Sequence, residues 1–181
     1  MSHFAVAVVR DAKSWTATEL DLGGAADIED VADRLRDVHS EAEISLLFVE
    51  CDDMYLAVLR LDEGEDLRVF GSDSGFVDES RLGALLLGDA KEPVTLDLEV
   101  SLAGDIDGGT ADAADGDGGP ESQLAADADP VGDPDLLSDL GVPAPRLLVL
   151  CGREGMLPAD VTAELCQLLG CGDEVEELRE T

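Results

Sequence analysis

Residues 44–61 read ISLLFVECDDMYLAVLRL, two apolar runs on either side of a pair of adjacent aspartates. Both runs, Ile44–Cys51 and Met54–Leu61, are rich in the apolar and β-branched side chains that strands favour. Asp52 and Asp53 can close a tight two-residue turn even without glycine. This stretch therefore predicts a β-hairpin.

A second hairpin and a helix are predicted before this stretch. His3–Val9 is a short β-rich run, and Trp15–Leu22 alternates apolar and polar side chains after a turn-like tetrapeptide. Between Ile28 and Val38 the apolar residues recur at three- and four-residue steps, and Asp27 is available as an N-cap. That spacing predicts an amphipathic helix.

Two further elements are predicted after the central hairpin. Leu67–Gly71 reads as a short fifth strand, and residues 76–87 read as one helix despite Gly83. The predicted order is β-β-α-β-β-β-α, which indicates an α+β domain over residues 1–87. Its sheet is expected to be mainly antiparallel and covered by the two helices.

The rest of the chain divides by composition. Residues 94–102 alternate strictly between apolar and polar side chains, which predicts an extra strand. Residues 103–134 contain nine acidic residues, no basic ones and seven glycines. Such a segment cannot bury enough apolar surface to offset the entropy of ordering it, so we expect a disordered acidic linker.

A small helical module is expected over residues 135–181. Three short helical patterns are each followed by a glycine placed where a left-handed C-terminal cap would be used. The patterns are Pro134–Leu140, Ala144–Gly152 and Pro158–Leu169, and the glycines are Gly141, Gly155 and Gly170. With fewer than 50 residues, this module would be only marginally stable by itself.

The charge of the chain limits its partners. The net charge is −32, from 43 acidic and 11 basic residues, and residues 1–87, 88–134 and 135–181 carry −13, −12 and −7 of it. Nucleic-acid affinity comes largely from Lys and Arg, so direct binding of DNA or RNA is disfavoured. Such a polyanion is suited either to solubility and adaptation to salt or to recognition of a basic protein.

Neither secretion nor membrane insertion is predicted. The opening apolar run ends at Arg10 after six residues, and no later run approaches the roughly 18 residues of a membrane helix. We therefore expect a cytoplasmic protein. Its four cysteines should be reduced.

No residue set carries a known catalytic or cofactor-binding motif. His39-Ser40-Glu41 matches half of the zinc-deaminase pattern, but the required Pro-Cys-x-x-Cys is missing, and a histidine at a helix C-terminus explains it better. Calcium-like Asp-x-Asp-Gly repeats at 105–108 and 115–118 lack the closing glutamate. No catalytic, cofactor-binding or metal-binding residue is therefore predicted.

The four cysteines could act as metal ligands or as nucleophiles. Cys151, Cys166 and Cys171 have no fourth ligand nearby, and two of them stand among helix-face leucines, which favours buried apolar thiols over zinc. A nucleophilic cysteine would need His3 or His39 as its base. An enzyme would therefore require a pocket that gathers these histidines or Cys51 with carboxylates.

Several motifs resemble one protein family. They are HFAVAVVR at 3–10, WTA at 15–17, LRVFGSD at 67–73, DLLSDLG at 135–141 and GMLPADV at 155–161. Together they are similar to the actinobacterial tRNA adenosine deaminase-associated protein family. The resemblance implies association with tRNA adenosine deaminase, and it transfers no activity and no site residue.

Three hypotheses follow. The first is a non-enzymatic acidic accessory protein that binds tRNA adenosine deaminase or another basic protein, because opposite charges attract over long range. The second is an enzyme with an unrecognised site in the N-terminal domain. The third is a solubility-tuned structural protein with no role in tRNA editing.

Overall fold

One antiparallel sheet organises the molecule. The computed structural model describes residues 3–88, 130–153 and 155–180. Within them six strands run in the order β2-β1-β3-β4-β5-β6. The strands are β1 His3–Arg10, β2 Trp15–Glu19, β3 Ile44–Cys51, β4 Tyr55–Asp62, β5 Asp66–Gly71 and β6 Val131–Gly132. The expected α+β class and antiparallel pairing are confirmed.

Six α-helices and one 3-10 turn are described in those ranges. They are α1 Ile28–Val38, α2 Gly75–Glu79, α3 Arg81–Leu87, the 3-10 turn Ser138–Leu140, α4 Ala144–Cys151, α5 Pro158–Leu169 and α6 Gly172–Glu180. The first three pack on one face of the sheet and the rest on the other. None of these helices is long and apolar enough to cross a membrane.

The central strands are buried on both faces. Successive side chains of a strand point to opposite faces, so each strand contributes to two cores. Ala5, Ala7, Leu47 and Leu59 meet the N-terminal helices. The side chains that meet the C-terminal helices are Val6, Val8, Leu46, Phe48 and Val58. This double burial explains why β3 and β4 are nearly continuous apolar runs.

The start of α1 follows the sequence prediction. The side chain of Asp27 accepts a hydrogen bond from Asp30 N at 3.0 Å, which satisfies one of the free amides of the first turn. Near its other end, Arg36 Nε donates to Gly64 O at 2.7 Å. The helix is thereby held against the loop between β4 and β5.

Two local predictions differ from the structure. The β3–β4 connection has three residues, not two; Asp52 and Asp53 have φ of 51° and 56°, and Met54 N donates to Cys51 O at 3.0 Å. The single helix predicted for 76–87 is divided at Ser80, whose side chain accepts from Gly83 N and caps α3. A Cβ on Gly83 would lie 2.0 Å from Phe76 O, so this glycine permits the close approach of α2 and α3.

The predicted linker ends earlier than expected. Val131 and Gly132 form β6, which pairs with the end of β5, and Val131 is buried. The predicted strand at 94–102 and the linker residues 103–129 lie outside the described residues. Strand pairing satisfies the backbone at 131–132, which composition alone did not reveal.

The C-terminal segment contains more helix at its end and less at its start than predicted. Only the 3-10 turn forms within Pro134–Leu140, whereas the nine-residue helix α6 follows the last of the three predicted patterns. Gly141 and Gly170 are left-handed C-caps as predicted. Gly155 also has a positive φ, but α4 ends earlier, at Gly152.

Two arginines join the C-terminal segment to the sheet. Arg60 is buried in β4, where it donates to Leu136 O at 2.5 Å and pairs with Asp62 and Asp139. Arg179 in α6 pairs with Glu50 in β3. A buried guanidinium is costly unless such partners satisfy it, so these contacts specify where the helices dock.

Removing Arg60 should destabilise the fold strongly. We expect Arg60→Ala to lower the free energy of unfolding by about 2–4 kcal/mol, because it removes the packing of the buried stem and leaves the Leu136 carbonyl without its donor. Denaturant unfolding measures this loss. Arg146→Ala is the control, since that arginine is half exposed in a 3.5 Å pair with Glu164, and it should cost about 0–1 kcal/mol. Equal losses in the two variants would contradict a docking role for Arg60.

The Arg60–Asp139 pair should also produce an acid dependence. The guanidinium of Arg60 holds the pKa of Asp139 below its ordinary value of 3.8. Because the folded pKa lies below the unfolded one, the stabilisation is complete above about pH 4 and is lost as the pH falls through the folded value. Unfolding between about pH 2 and 7 should show that the advantage of the wild type over Asp139→Asn shrinks on the acid side. A constant difference would contradict the pairing.

Candidate functional site

A pocket of about 400 Å³ opens at one end of the sheet. It lies where the start of β1, the end of β3, the β2–α1 loop and the start of α3 meet. Its walls are His3, Leu22, Gly24, Ala25, Ala26, Cys51, Ser80, Arg81, Leu82 and Leu85. This volume lies within the range of small-molecule sites, roughly 300–1,000 Å³.

Strand register and one helix cap assemble this pocket. His3 is paired with Cys51 across β1 and β3, so their side chains share a face. Ser80, the N-cap of α3, starts the helix that brings Leu82 and Leu85 to the opposite wall. The floor is buried, whereas His3 and Arg81 are exposed at the mouth.

The Cys51 thiol is held in its protonated form. It is 2% exposed and contacts Asp52 Oδ2 at 3.6 Å. Burial, followed by the charge of Asp52, raises the pKa of Cys51 above its ordinary value of 9.0. A nucleophilic cysteine needs the opposite shift, because the thiolate is the reactive form.

His39 lies far from this pocket. It caps the C-terminus of α1, and the loop that follows it meets the other end of β1, where Glu43 N donates to Arg10 O at 3.0 Å. The eight residues of β1 span roughly 23 Å, and His3 and the loop after His39 lie at opposite ends of this strand. The structure therefore brings His3 and Cys51 together and leaves His39 apart.

The remaining cysteines lie in the C-terminal core. Cys166 and Cys171 are buried next to each other, where hydrogen bonding between the thiols and burial raise the pKa of Cys166. Burial also raises the pKa of Cys151. In the described parts of the chain, no three His, Cys, Asp or Glu side chains are grouped so that they could hold a metal ion.

A second concavity, the acidic groove, runs between α6 and the edge strand β2. Its volume is about 510 Å³, and its lining is Thr16, Ala17, Glu174, Glu177, Leu178 and Glu180. The glutamates recur every three residues, so they share one side of α6. Among the described strands, β2 pairs only with β1, which leaves its outer edge open.

A third feature is the acidic rim at the end of the sheet opposite the pocket. Glu63 N donates to Glu43 O at 3.0 Å, which brings two acidic loops together beside α1. Seven exposed carboxylates result, and Arg36, which pairs with Asp33, lies among them. They are Asp33, Asp37, Glu41, Glu43, Glu63, Glu65 and Asp66.

Comparison with known proteins identifies the family. The family model described as Rv3753c-like tRNA adenosine deaminase-associated protein matches residues 3–172. The chain belongs to this family. The resemblance seen in the sequence motifs is thus confirmed over both the sheet and the C-terminal helices. Searches of curated proteins and of solved structures found no match.

Sequence reasoning found the family but neither concavity. The pocket combines residues from four separate stretches of the chain, none of which forms a motif. The spacing of the three glutamates of α6 in the sequence is enough to place them on one side of a helix. Their proximity to Thr16 and Ala17 depends on the packing of α6 along β2. Only the negative charge of these surfaces was visible beforehand.

The state of Cys51 can be tested by alkylation. We expect iodoacetamide to modify Cys51 in the folded protein more slowly than a free cysteine at pH 7–8. The reason is that the pKa of an ordinary thiol is about 8.5, whereas burial raises the pKa of Cys51. Asp52→Asn should accelerate the reaction, whereas Asp53→Asn, a neighbour with the same backbone conformation, should not. Peptide mass spectrometry measures each site. Modification faster than free cysteine would revive the enzyme hypothesis.

Proposed function

We propose that this member of the family is a non-enzymatic accessory protein whose acidic groove binds a basic segment of a partner protein. The first candidate partner is tRNA adenosine deaminase, which the family description names. The observation that carries the proposal is the lining of the groove. It contains three glutamates and no basic side chain.

The shape of the groove suits an extended segment. A strand edge presents free backbone N–H and C=O groups, which an extended peptide can pair with, while neighbouring pockets select its side chains. Beside the edge of β2 lie the apolar side chains of Ala17 and Leu178, together with the carboxylates of α6. An extended peptide with lysine or arginine at alternate positions could pair its backbone with the edge of β2 and its basic side chains with the glutamates of α6.

The net charge of −32 supports a protein partner over a nucleic acid. Phosphate groups would be repelled by the same carboxylates that attract a basic protein, and the attraction would steer association over long range. A deaminase that binds tRNA needs a basic surface, which makes it complementary to this chain. We include a cytoplasmic location in the proposal, which the unpaired cysteines favour.

The pocket supports the non-enzymatic part of the proposal. Catalysis by Cys51 would require a thiolate, whereas burial raises the pKa of this thiol above its ordinary value. Of the two histidines considered as its base, His39 lies at the far end of β1 and only His3 lies beside it. His3 is the one histidine in the pocket walls. These features favour binding over covalent chemistry.

Charge removal from the groove should weaken partner binding. We expect a variant in which Glu174, Glu177 and Glu180 are replaced by Gln to bind tRNA adenosine deaminase roughly tenfold more weakly, since each exposed pair contributes up to about 1 kcal/mol. The measurement is calorimetric titration at low salt and at about 0.5 M salt, where wild-type binding should also weaken.

The matched control removes the same charge elsewhere. In it Glu43, Glu63 and Glu65 of the acidic rim are replaced by Gln, and binding should change little. Equal weakening in both variants would contradict the groove as the binding surface while leaving the electrostatic attraction. No binding to the deaminase even at low salt, together with unchanged tRNA editing after deletion of this protein, would contradict the proposed function as a whole.

A further inference from the structure

The pocket at the His3 end of the sheet differs electrostatically from the rest of the molecule. None of its ten lining residues is acidic, although 43 of the 181 residues of the chain are Asp or Glu. The acidic groove and a smaller cavity beside Phe4 are lined by two or more carboxylates each. This pocket is therefore a locally non-negative cavity in a strongly negative protein.

A cation stands at the mouth of this pocket. Arg81 is exposed and has no hydrogen bond or ion pair with any described residue. Two acidic groups at this end of the sheet have partners of their own: Glu79 accepts from the Tyr55 hydroxyl at 2.5 Å, and Asp52 contacts the Cys51 thiol. The guanidinium is thus available to an anion from solution.

The lining of the pocket changes from apolar and buried at the floor to polar and exposed at the mouth. Leu22, Ala25 and Cys51 are buried at the floor, where a protonated thiol behaves as a small apolar group. Leu82 and Leu85 are half buried along the side, while the imidazole of His3 and the guanidinium of Arg81 lie at the mouth. An apolar body would be covered by the floor and the side, and an anionic group would meet Arg81.

We propose that this pocket binds a small amphipathic anion, a molecule with an apolar chain and a single carboxylate. The volume of about 400 Å³ accommodates a ligand of medium size. Apolar contact supplies most of the affinity, and Arg81 selects the carboxylate by a charge-assisted hydrogen bond. This inference is independent of the partner-binding proposal, because the acidic groove lies on β2 and α6 instead.

Three probes with alkyl chains of the same length but different head groups test whether the pocket prefers an anion. Decanoate, decanamide and decyltrimethylammonium are titrated calorimetrically into the full-length chain at about 0.15 M salt. We expect decanoate to bind about five- to tenfold more tightly than decanamide, the gain of a charge-assisted hydrogen bond at a partly exposed site. The cationic probe should bind most weakly. Equal affinity for carboxylate and amide, or preference for the cation, would overturn the proposal.

Two arginine variants test whether Arg81 causes the preference for the carboxylate over the amide. Arg81→Gln should abolish the advantage of decanoate and leave the affinity for decanamide unchanged, whereas Arg153→Gln, which removes an exposed arginine outside the pocket, should affect neither.

A further variant tests whether the probes bind in this pocket. Ala26→Trp at the mouth should block both probes while circular dichroism shows an intact fold. Backbone amide shifts at 22–26 and 80–85 should report the bound ligand. Absence of binding by every probe, or equal effects of the two arginine variants, would overturn the assignment.

Discussion

The central constraint on this molecule is that β1, β3 and β4 are apolar on both faces. A sheet of this kind cannot leave either face in water, because each exposed apolar side chain forfeits roughly 1.5–3 kcal/mol of burial. Helices α1 to α3 cover one face and the C-terminal helices cover the other. The helical segment after residue 130 therefore completes the core of the sheet, even though a long acidic stretch of sequence precedes it.

Two arginine contacts, one of them from the buried Arg60, follow from that arrangement. Placing helices on the second face brings Arg60 and Arg179 against backbone carbonyl and carboxylate groups of the opposite segment. Such contacts add little net stability compared with apolar packing, but they penalise any docking that leaves the guanidinium unpaired. They give the helical layer one defined position, which in turn sets the width of the groove between α6 and β2.

Because both faces are used for the core, the pocket, the acidic groove and the acidic rim lie at the ends and the open edge of the sheet. The acidic rim lies at one end, the pocket with Arg81 at the other, and the acidic groove along β2. The two concavities have opposite electrostatic character. In this chain the groove is lined by three glutamates, whereas the pocket is lined by no acidic residue and carries Arg81.

Local pattern was sufficient for much of the fold. The hairpins, α1 with its Asp27 cap, the antiparallel pairing and the C-caps at Gly141 and Gly170 all follow from side-chain periodicity and turn chemistry, which act between near neighbours. The family was recognisable for the same reason, since its motifs lie within single strands and helices. The negative charge required nothing more than counting.

Long-range packing decided the remainder. The division of residues 75–87 at Ser80 depends on α3 packing against α2, and the strand at 131–132 exists because β5 offers it a partner. The pocket and the groove join residues that are distant in sequence, so no periodicity encodes them. Side-chain pattern and composition account for the elements and the charge. Which carboxylates gather, and where Arg81 stands apart from them, depends on the folded arrangement, because distances across the sheet exist only once both faces are covered.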